Sequence, residues 1–271
     1  MDFSGFDFKG RHVFVAGGSS GINFGIATAF ARAGAKLSLL SRSADKLASA
    51  VAQLEALGAE AIGMPADVRQ PEAISAAYSQ AVARFGPIDV LVSGAAGNFL
   101  ARALDMSPNA FKTVVDIDLL GSFNVVRLAH THLRQPGACV IQISAGQAFI
   151  PTPFQAHVCA AKAGVDMLTQ VLALEWGAQG IRINSIVPGP IADTEGLRRL
   201  APGDDALQAM ADRVPLKRLG RIEDIARMAM LLASDWGSYI TGAVIPVDGG
   251  LALTGPRDFT AAAAAAQRGR A

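Results

Sequence analysis

"HVFVAGGSSGINFGIATAFARAGAKLSLLSR", residues 12–42, carries the reading that decides the fold. Residues 12–17 read as a strand, 23–35 have the apolar spacing of a helix stopped at Gly34, and 36–42 read as a second strand. Strand, helix and strand in that order make a parallel pair joined by a crossover. Between the first strand and the helix lie Gly17, Gly18, Ser19, Ser20, Gly21, Ile22 and Asn23. Glycines 17, 18 and 21 let the backbone turn sharply, so that N–H groups and the helix N-terminus can face a pyrophosphate. Any tight turn uses glycine; the position directly after a first strand and before a helix gives this one its weight. Asn23 stands where a third glycine is expected, and asparagine tolerates left-handed backbone better than most residues.

The alternation continues outward. A helix at 44–57, a strand at 60–68, a helix from Pro71 and a fully buried strand at 88–97 come next. A long helix from about Pro108 to Leu133 leads to a strand at 138–144, then to the helix carrying Lys162. The strand at 182–189, a helix near 222–233 and the strand at 243–250 complete the series. Seven strands separated by helices predict an α/β chain: a single-domain, Rossmann-type, doubly wound parallel seven-stranded sheet. No linker rich in Pro, Ser or charge divides it. The expected domain spans 1–258, with 190–220 as a lid over the sheet edge and 259–271 as an Ala-rich tail.

Composition excludes several classes. The formal charge of +1 gives no field to draw the chain to nucleic acid or anionic lipid. The uncharged stretch 135–161 is interrupted by Pro136, Gln142, Pro151, Pro153 and His157, so it is not a membrane span. The start lacks the basic-then-apolar order of a signal peptide, and the final "RGRA" is no peroxisomal tripeptide. Cys139 and Cys159 read as buried free thiols in a reducing compartment, which with the charge predicts a cytoplasmic protein. His130 and His132 lie two apart on a helix and diverge, so no metal site is expected. His157, near a helix start, reads as a satisfied core histidine sooner than a catalytic one.

In such sheets ligands bind beyond the carboxyl ends of the strands. Ser41 and Arg42 close the second strand where an NAD site wants an acid; the arginine suits a 2′-phosphate, with a solvated surface arginine as the alternative. Asp67 and Val68 at the third strand end either bracket an adenine or, for the aspartate, cap the Pro71 helix.

Taken together, the Ala16-Gly17…Gly21 turn, "ADV" (66–68), "GAAG" (94–97), "DIDLLG" (116–121), Lys162, "RINSIVPGP" (182–190) and "YITGAVIPVDGG" (239–250) resemble the short-chain dehydrogenase/reductase family over almost the whole chain. The resemblance implies that Ala95, Ala96, Gly97, Lys162, Pro188, Gly189, Ile191 and Thr194 complete a dinucleotide site. In that family a Tyr four residues before the Lys donates the proton, aided by a Ser and an Asn. Here those positions are Val158, Ala145 and Asp118, and the two tyrosines, Tyr78 and Tyr239, lie elsewhere.

One branch accommodates the loss. Residues 94–125 and 187–200 look like 2,4-dienoyl-CoA reductases, and among them the peroxisomal type. That type implies Asp118 and Lys162 as the catalytic pair, acting with a water. The mitochondrial type's tyrosine falls on Gln147 and is excluded. Arg42 makes NADPH/NADP+ the expected cofactor, and the resemblance implies an acyl-CoA substrate and a homotetramer. Asn98 and Phe99 are expected at the acyl group, with loop support for Asn98 and a core place for Phe99 as the alternatives; Arg69, Arg198 and Arg199 are expected at the coenzyme A phosphates, with ordinary solvated charge as the alternative for the adjacent pair. The rival readings are a reductase of another conjugated carbonyl or CoA thioester, and a non-catalytic NADP-binding protein.

Overall fold

β1 (His12–Ala16) is buried along its length, with Val13 and Val15 in one apolar cluster and Phe14 and Ala16 in another. Period-two alternation between two cores is what a strand covered on both faces requires. In the computed structural model, which describes residues 6–200 and 203–254, β1 is joined by β2 (Lys36–Ser41), β3 (Ala61–Pro65), β4 (Val90–Ser93), β5 (Cys139–Ile143), β6 (Arg182–Pro188) and β7 (Val244–Val247). Among the described residues these strands form one parallel sheet in the order β3-β2-β1-β4-β5-β6-β7. The winding reverses between β1 and β4, which opens a crevice beyond their carboxyl ends.

The helices are α1 (Gly21–Arg32), α2 (Ala44–Glu55), α3 (Pro71–Phe85), α4 (Pro108–Val115), α5 (Gly121–Ala129), α6 (Ala156–Trp176), α7 (Glu195–Leu200), α8 (Asp204–Arg213) and α9 (Ile222–Ala233). α1, α2 and α9 cover one face of the sheet, burying Ile26, Phe30, Leu54 and Met230. α3, α5 and α6 cover the other, with Ile74, Tyr78, Val125 and Trp176. Each side chain of this size contributes about 1.5–3 kcal/mol when fully buried. Gly25 lets α1 lie against α9, because a Cβ there would run into Ile222.

The structure revises two sequence expectations and fills in a third region. The helix from Pro108 is not uniform: α4 passes into a π-helical turn, Asp116–Leu120, before α5 begins, and it ends in a 3-10 turn at His130–His132. The segment 190–220 holds α7 and α8, and Ile191 pairs with Gly220 across its base. Cys139 is buried, its thiol pushed up to about 11 by burial, whereas Cys159 is only half-buried. The tail 259–271 lies outside the described residues.

Candidate active site

The turn after β1 is built to receive an anion. Gly17 and Gly21 take positive φ, +78° and +60°, and a Cβ on Gly21 would meet open space. Ser20, at the head of α1, makes no side-chain cap, and no acidic residue occupies the first turn. The free N–H groups and positive end of α1 therefore face outward unneutralised, which suits the pyrophosphate of a dinucleotide. Asn23 departs from expectation. It lies within α1, its φ is not positive, and its amide donates to the Gly94 carbonyl at 2.7 Å. A Cβ on Gly94 would collide with that amide. Asparagine thus replaces the third glycine as a latch between the turn and the end of β4, made possible by Gly94 having no side chain.

At the next strand ends, Ser19 donates to the Ser41 hydroxyl at 2.8 Å and Arg42 is exposed. Arg69 grips Asp67 through Nε at 3.0 Å and Nη2 at 2.6 Å. This bond holds the Asp67 carboxyl below the ordinary carboxylate range. Arg69, itself exposed, thus holds Asp67 with two of its side-chain donors. Asp67 does not cap α3, whose N-cap is Gln70. Val68 is buried, and its carbonyl accepts from Asn124 at 3.1 Å.

Lys162 and Asp118 meet at the crevice. Nζ stands 3.6 Å from the Asp118 carboxylate, with the lysine and aspartate side chains 6% and 1% exposed. Lys162 also donates to the Ile143 carbonyl at 3.0 Å. Asp118 sits in the π turn, whose carbonyl at the same residue accepts from Ser122 at 2.6 Å. Its carboxylate takes the Gly97 N–H at 2.7 Å, which ties the loop of Ala95, Ala96 and Gly97 to the pair. Burial pushes the Asp118 carboxyl up, against the attraction of Lys162 and the Gly97 N–H. One turn beyond Lys162, buried Asp166 accepts from Ser185 at 2.8 Å, a second carboxylate close enough to feel the lysine. No phenol competes: Val158 is buried at the tyrosine position, Tyr78 donates to Val125 inside the far core, and Tyr239 is fully exposed.

The loops after β4 and β5 form the other wall. Gln147 donates to Gln155 at 2.7 Å, and Gln155, 1% exposed, donates to the Asn98 side-chain oxygen at 2.9 Å. With its oxygen engaged, Asn98 keeps its NH2 as a donor. Ala101 N–H bonds the Phe154 carbonyl at 3.0 Å, and Phe99, Leu100, Phe149 and Phe154 are all exposed. Phe99 lies on His157, ring centroids 4.3 Å apart. His157 is fully buried; neither ring nitrogen makes a well-formed hydrogen bond, while the Phe99 backbone lies close enough to favour its protonated form.

Pro188 ends β6, Gly189 leads on to buried Ile191, and Thr194 caps α7 by accepting from Leu197 at 3.3 Å. Arg198 is exposed and reaches the Asp193 carbonyl at 3.3 Å. The side chain of Arg199 lies outside the described residues. His130 and His132 do not converge: one bonds Gln179, and the other stacks on Tyr78. Among the described residues no helix is long and apolar enough to cross a membrane.

The family described as Enoyl-(Acyl carrier protein) reductase matches residues 16–252. The peroxisomal 2,4-dienoyl-CoA reductase [(3E)-enoyl-CoA-producing] of Pongo abelii is 45% identical, over 92% of this chain and 86% of its own. A protein of the same name from Arabidopsis thaliana is 41% identical over 92% and 87%. A short chain dehydrogenase from Bacillus anthracis superposes with a TM-score of 0.82 at 34% identity, covering 92% of this chain and 99% of its own. The names of the first two relatives overturn the cytoplasmic expectation. Net charge and reduced thiols describe a chemical environment shared by several compartments, so they had no power to choose one.

Proposed function

The chain belongs to the short-chain dehydrogenase/reductase family and is an oxidoreductase that uses a nicotinamide cofactor; on that premise we propose that it reduces 2,4-dienoyl-CoA thioesters to 3-enoyl-CoA with NADPH, in the oxidation of unsaturated fatty acids. The observation that carries this reading is the buried Asp118–Lys162 pair beside a tyrosine position filled by Val158. Reduction of a ketone produces an alkoxide and calls for a phenol of matched acidity. A conjugated dienoyl thioester instead accepts hydride at its fifth carbon and becomes a dienolate, with charge on the thioester oxygen.

A nicotinamide dinucleotide bound over the Gly17–Gly21 turn supplies that hydride. The dienolate then takes a proton at its second carbon, leaving the double bond between the third and fourth. Lys162 orients the nicotinamide ribose and adds positive potential. Asp118 holds the water that delivers the proton. The Asn98 NH2, fixed by Gln155, supports the thioester oxygen as charge collects there. Phe99 packs along the acyl group.

Ser41 and exposed Arg42 take the 2′-phosphate, the basis for NADPH over NADH. Gly18, Ser19, Ser20, Ile22, Asp67 and Val68 complete the nucleotide side; Pro188, Gly189, Ile191 and Thr194 meet the nicotinamide amide. Segment 190–220 acts as a lid whose Arg198 and Arg199 bind coenzyme A phosphates. A homotetramer would cover the exposed Phe123, Met167 and Leu174 of α5 and α6, and Trp236 and Tyr239 beside β7.

The test is to mix protein, NADPH and a dienoyl-CoA and follow loss of NADPH absorbance. Turnover supports the reading, and its absence at micromolar enzyme ends it. Turnover of free enones in preference to CoA esters would point to another conjugated carbonyl, and dinucleotide binding without hydride transfer to a non-catalytic protein.

A further inference from the structure

An amide side chain is nearly symmetric in shape and opposite in polarity at its two ends: one end carries two N–H donors, the other only accepts. Which end of Asn98 meets the thioester oxygen therefore matters, because the wrong end sets oxygen against oxygen. We propose that Gln147 and Gln155 are positioning residues that fix this polarity, through a one-way chain of amides running from Gln147 to Gln155 to Asn98 and ending on the thioester oxygen. The proposal rests on the dienoyl-CoA reading above.

Three segments supply the chain. Gln147 lies in the 3-10 turn Gly146–Ala148 after β5, Gln155 directly precedes α6, and Asn98 stands in the loop after β4. Gln147 Nε2 donates to Gln155 Oε1 at 2.7 Å, and Gln155 Nε2 donates to Asn98 Oδ1 at 2.9 Å. Both bonds run in the same sense, so neither spends the Asn98 NH2. Gln155, at 1% exposure, is out of reach of bulk water, while Gln147 and Asn98 are half-buried at the two ends.

Tying the loops together does not require this arrangement. The Ala101 N–H already bonds the Phe154 carbonyl at 3.0 Å across the same two loops. Asn23 shows what an amide used as a tie looks like. Its Nδ2 meets the Gly94 and Gly17 carbonyls at 2.7 and 3.4 Å, and its buried Oδ1 has no partner. Backbone carbonyls only accept, so they fix that amide and leave its other end idle. Gln155 is instead engaged at both ends by side chains that can each be turned round, so the three orientations are set together. Aligned hydrogen bonds in a low-dielectric site polarise one another. Negative charge gathering on the thioester oxygen strengthens the Asn98 bond and, through it, the two behind.

The experiment varies the group at position 147. Gln147→Lys can only donate to Gln155 and keeps the chain running toward the cleft. Gln147→Glu, ionised at about pH 8, can only accept; it turns Gln155 and then Asn98 about, and presents the Asn98 oxygen to the substrate. Gln147→Met removes the end bond without imposing either sense. Readouts are kcat, KM and the red shift of dienoyl-CoA absorbance on binding to the enzyme with NADP+, which reports polarisation of the thioester carbonyl without hydride transfer.

Gln147→Lys should keep the red shift and a kcat within about threefold of wild type, while Gln147→Glu should lose about tenfold or more in kcat. The Gln147→Glu red shift should be smaller than that of Gln147→Met. In an Asn98→Ala background Gln147→Glu should cost nothing further. Equal kcat and equal red shift in the three variants, or a Gln147→Glu loss that persists in full without Asn98, overturns the chain while wild-type turnover leaves the reaction standing. A wild-type enzyme inactive on dienoyl-CoA overturns both. Should Gln147→Glu fail to fold, Gln155→Met decides: a reduced red shift supports the chain, and a wild-type shift overturns it.

Discussion

Lys162 Nζ and the Asp118 carboxylate face each other at 3.6 Å inside the protein, each brought there by a different device. α6 carries the lysine beneath the sheet end, where the Ile143 carbonyl holds it. The π turn carries the aspartate, and the Gly97 N–H holds that. Taking two charges out of water is expensive, and their attraction alone often fails to offset the loss. On the proposed reading, chemistry at the crevice is the reason to keep them.

Removing either partner strands the other. Asp118→Asn and Lys162→Ala should each lower unfolding free energy by about 3–5 kcal/mol and kcat by about tenfold or more. The double variant Asp118→Asn/Lys162→Met should recover much of the stability and none of the activity. Urea denaturation alongside the dienoyl-CoA assay checks this; additive stability losses would show that the two charges are not coupled.

Asn23 latches the dinucleotide turn to β4 through the Gly94 carbonyl. Asn23→Ala should cost about 1 kcal/mol of stability and weaken NADPH binding, as read by fluorescence titration. Unchanged affinity would mean the turn keeps its shape without the latch.

On the proposed reading Arg42 carries the cofactor preference. Arg42→Ala should reduce kcat/KM for NADPH about tenfold, about 1.4 kcal/mol, and leave NADH little affected. Equal losses with both would place the arginine in general folding rather than in 2′-phosphate recognition.

Acid should expose the buried histidines. Burial holds the pKa of His12, His132 and His157 below the ordinary 6.5. Between the lowered folded value and 6.5 the unfolded chain binds more protons, so their contribution is complete above 6.5 and lost as pH falls through it. Buried Asp118 and Asp166, shifted upward, act in the opposite sense, losing stability as pH rises through their folded values. The fall in Tm from about pH 7.5 to 5.5 should therefore be smaller in His157→Gln than in wild type. An identical fall would mean that His157 is not held neutral.

The sheet was legible because each strand is a short apolar run punctuated by Gly, Pro or Asp, and these local patterns agree with one another. Lys162 stood out for a similar reason, as a lone cation in an apolar helix. Contacts between distant segments left less trace. The π turn around Asp118 has ordinary helical composition, and it arises where the helix must reach both Gly97 and α6. Gln155 was passed over because a single glutamine carries no signal until folding sets it between Gln147 and Asn98. Asn23 was read for backbone tolerance, whereas its side chain does the holding. The bidentate grip of Arg69 on Asp67 left no mark in the sequence that sets it apart from a solvated arginine.

The most direct test of the central claim, that the Asp118–Lys162 pair serves a dienolate where a phenol would serve an alkoxide, is the fate of label from NADPH deuterated at its transferable position. The account predicts one deuterium at the fifth carbon of the acyl product, one solvent proton at the second, and both incorporations slowed together in Asp118→Asn. Deuterium at the carbonyl carbon or at the third carbon, or full-speed transfer in Asp118→Asn, would contradict it.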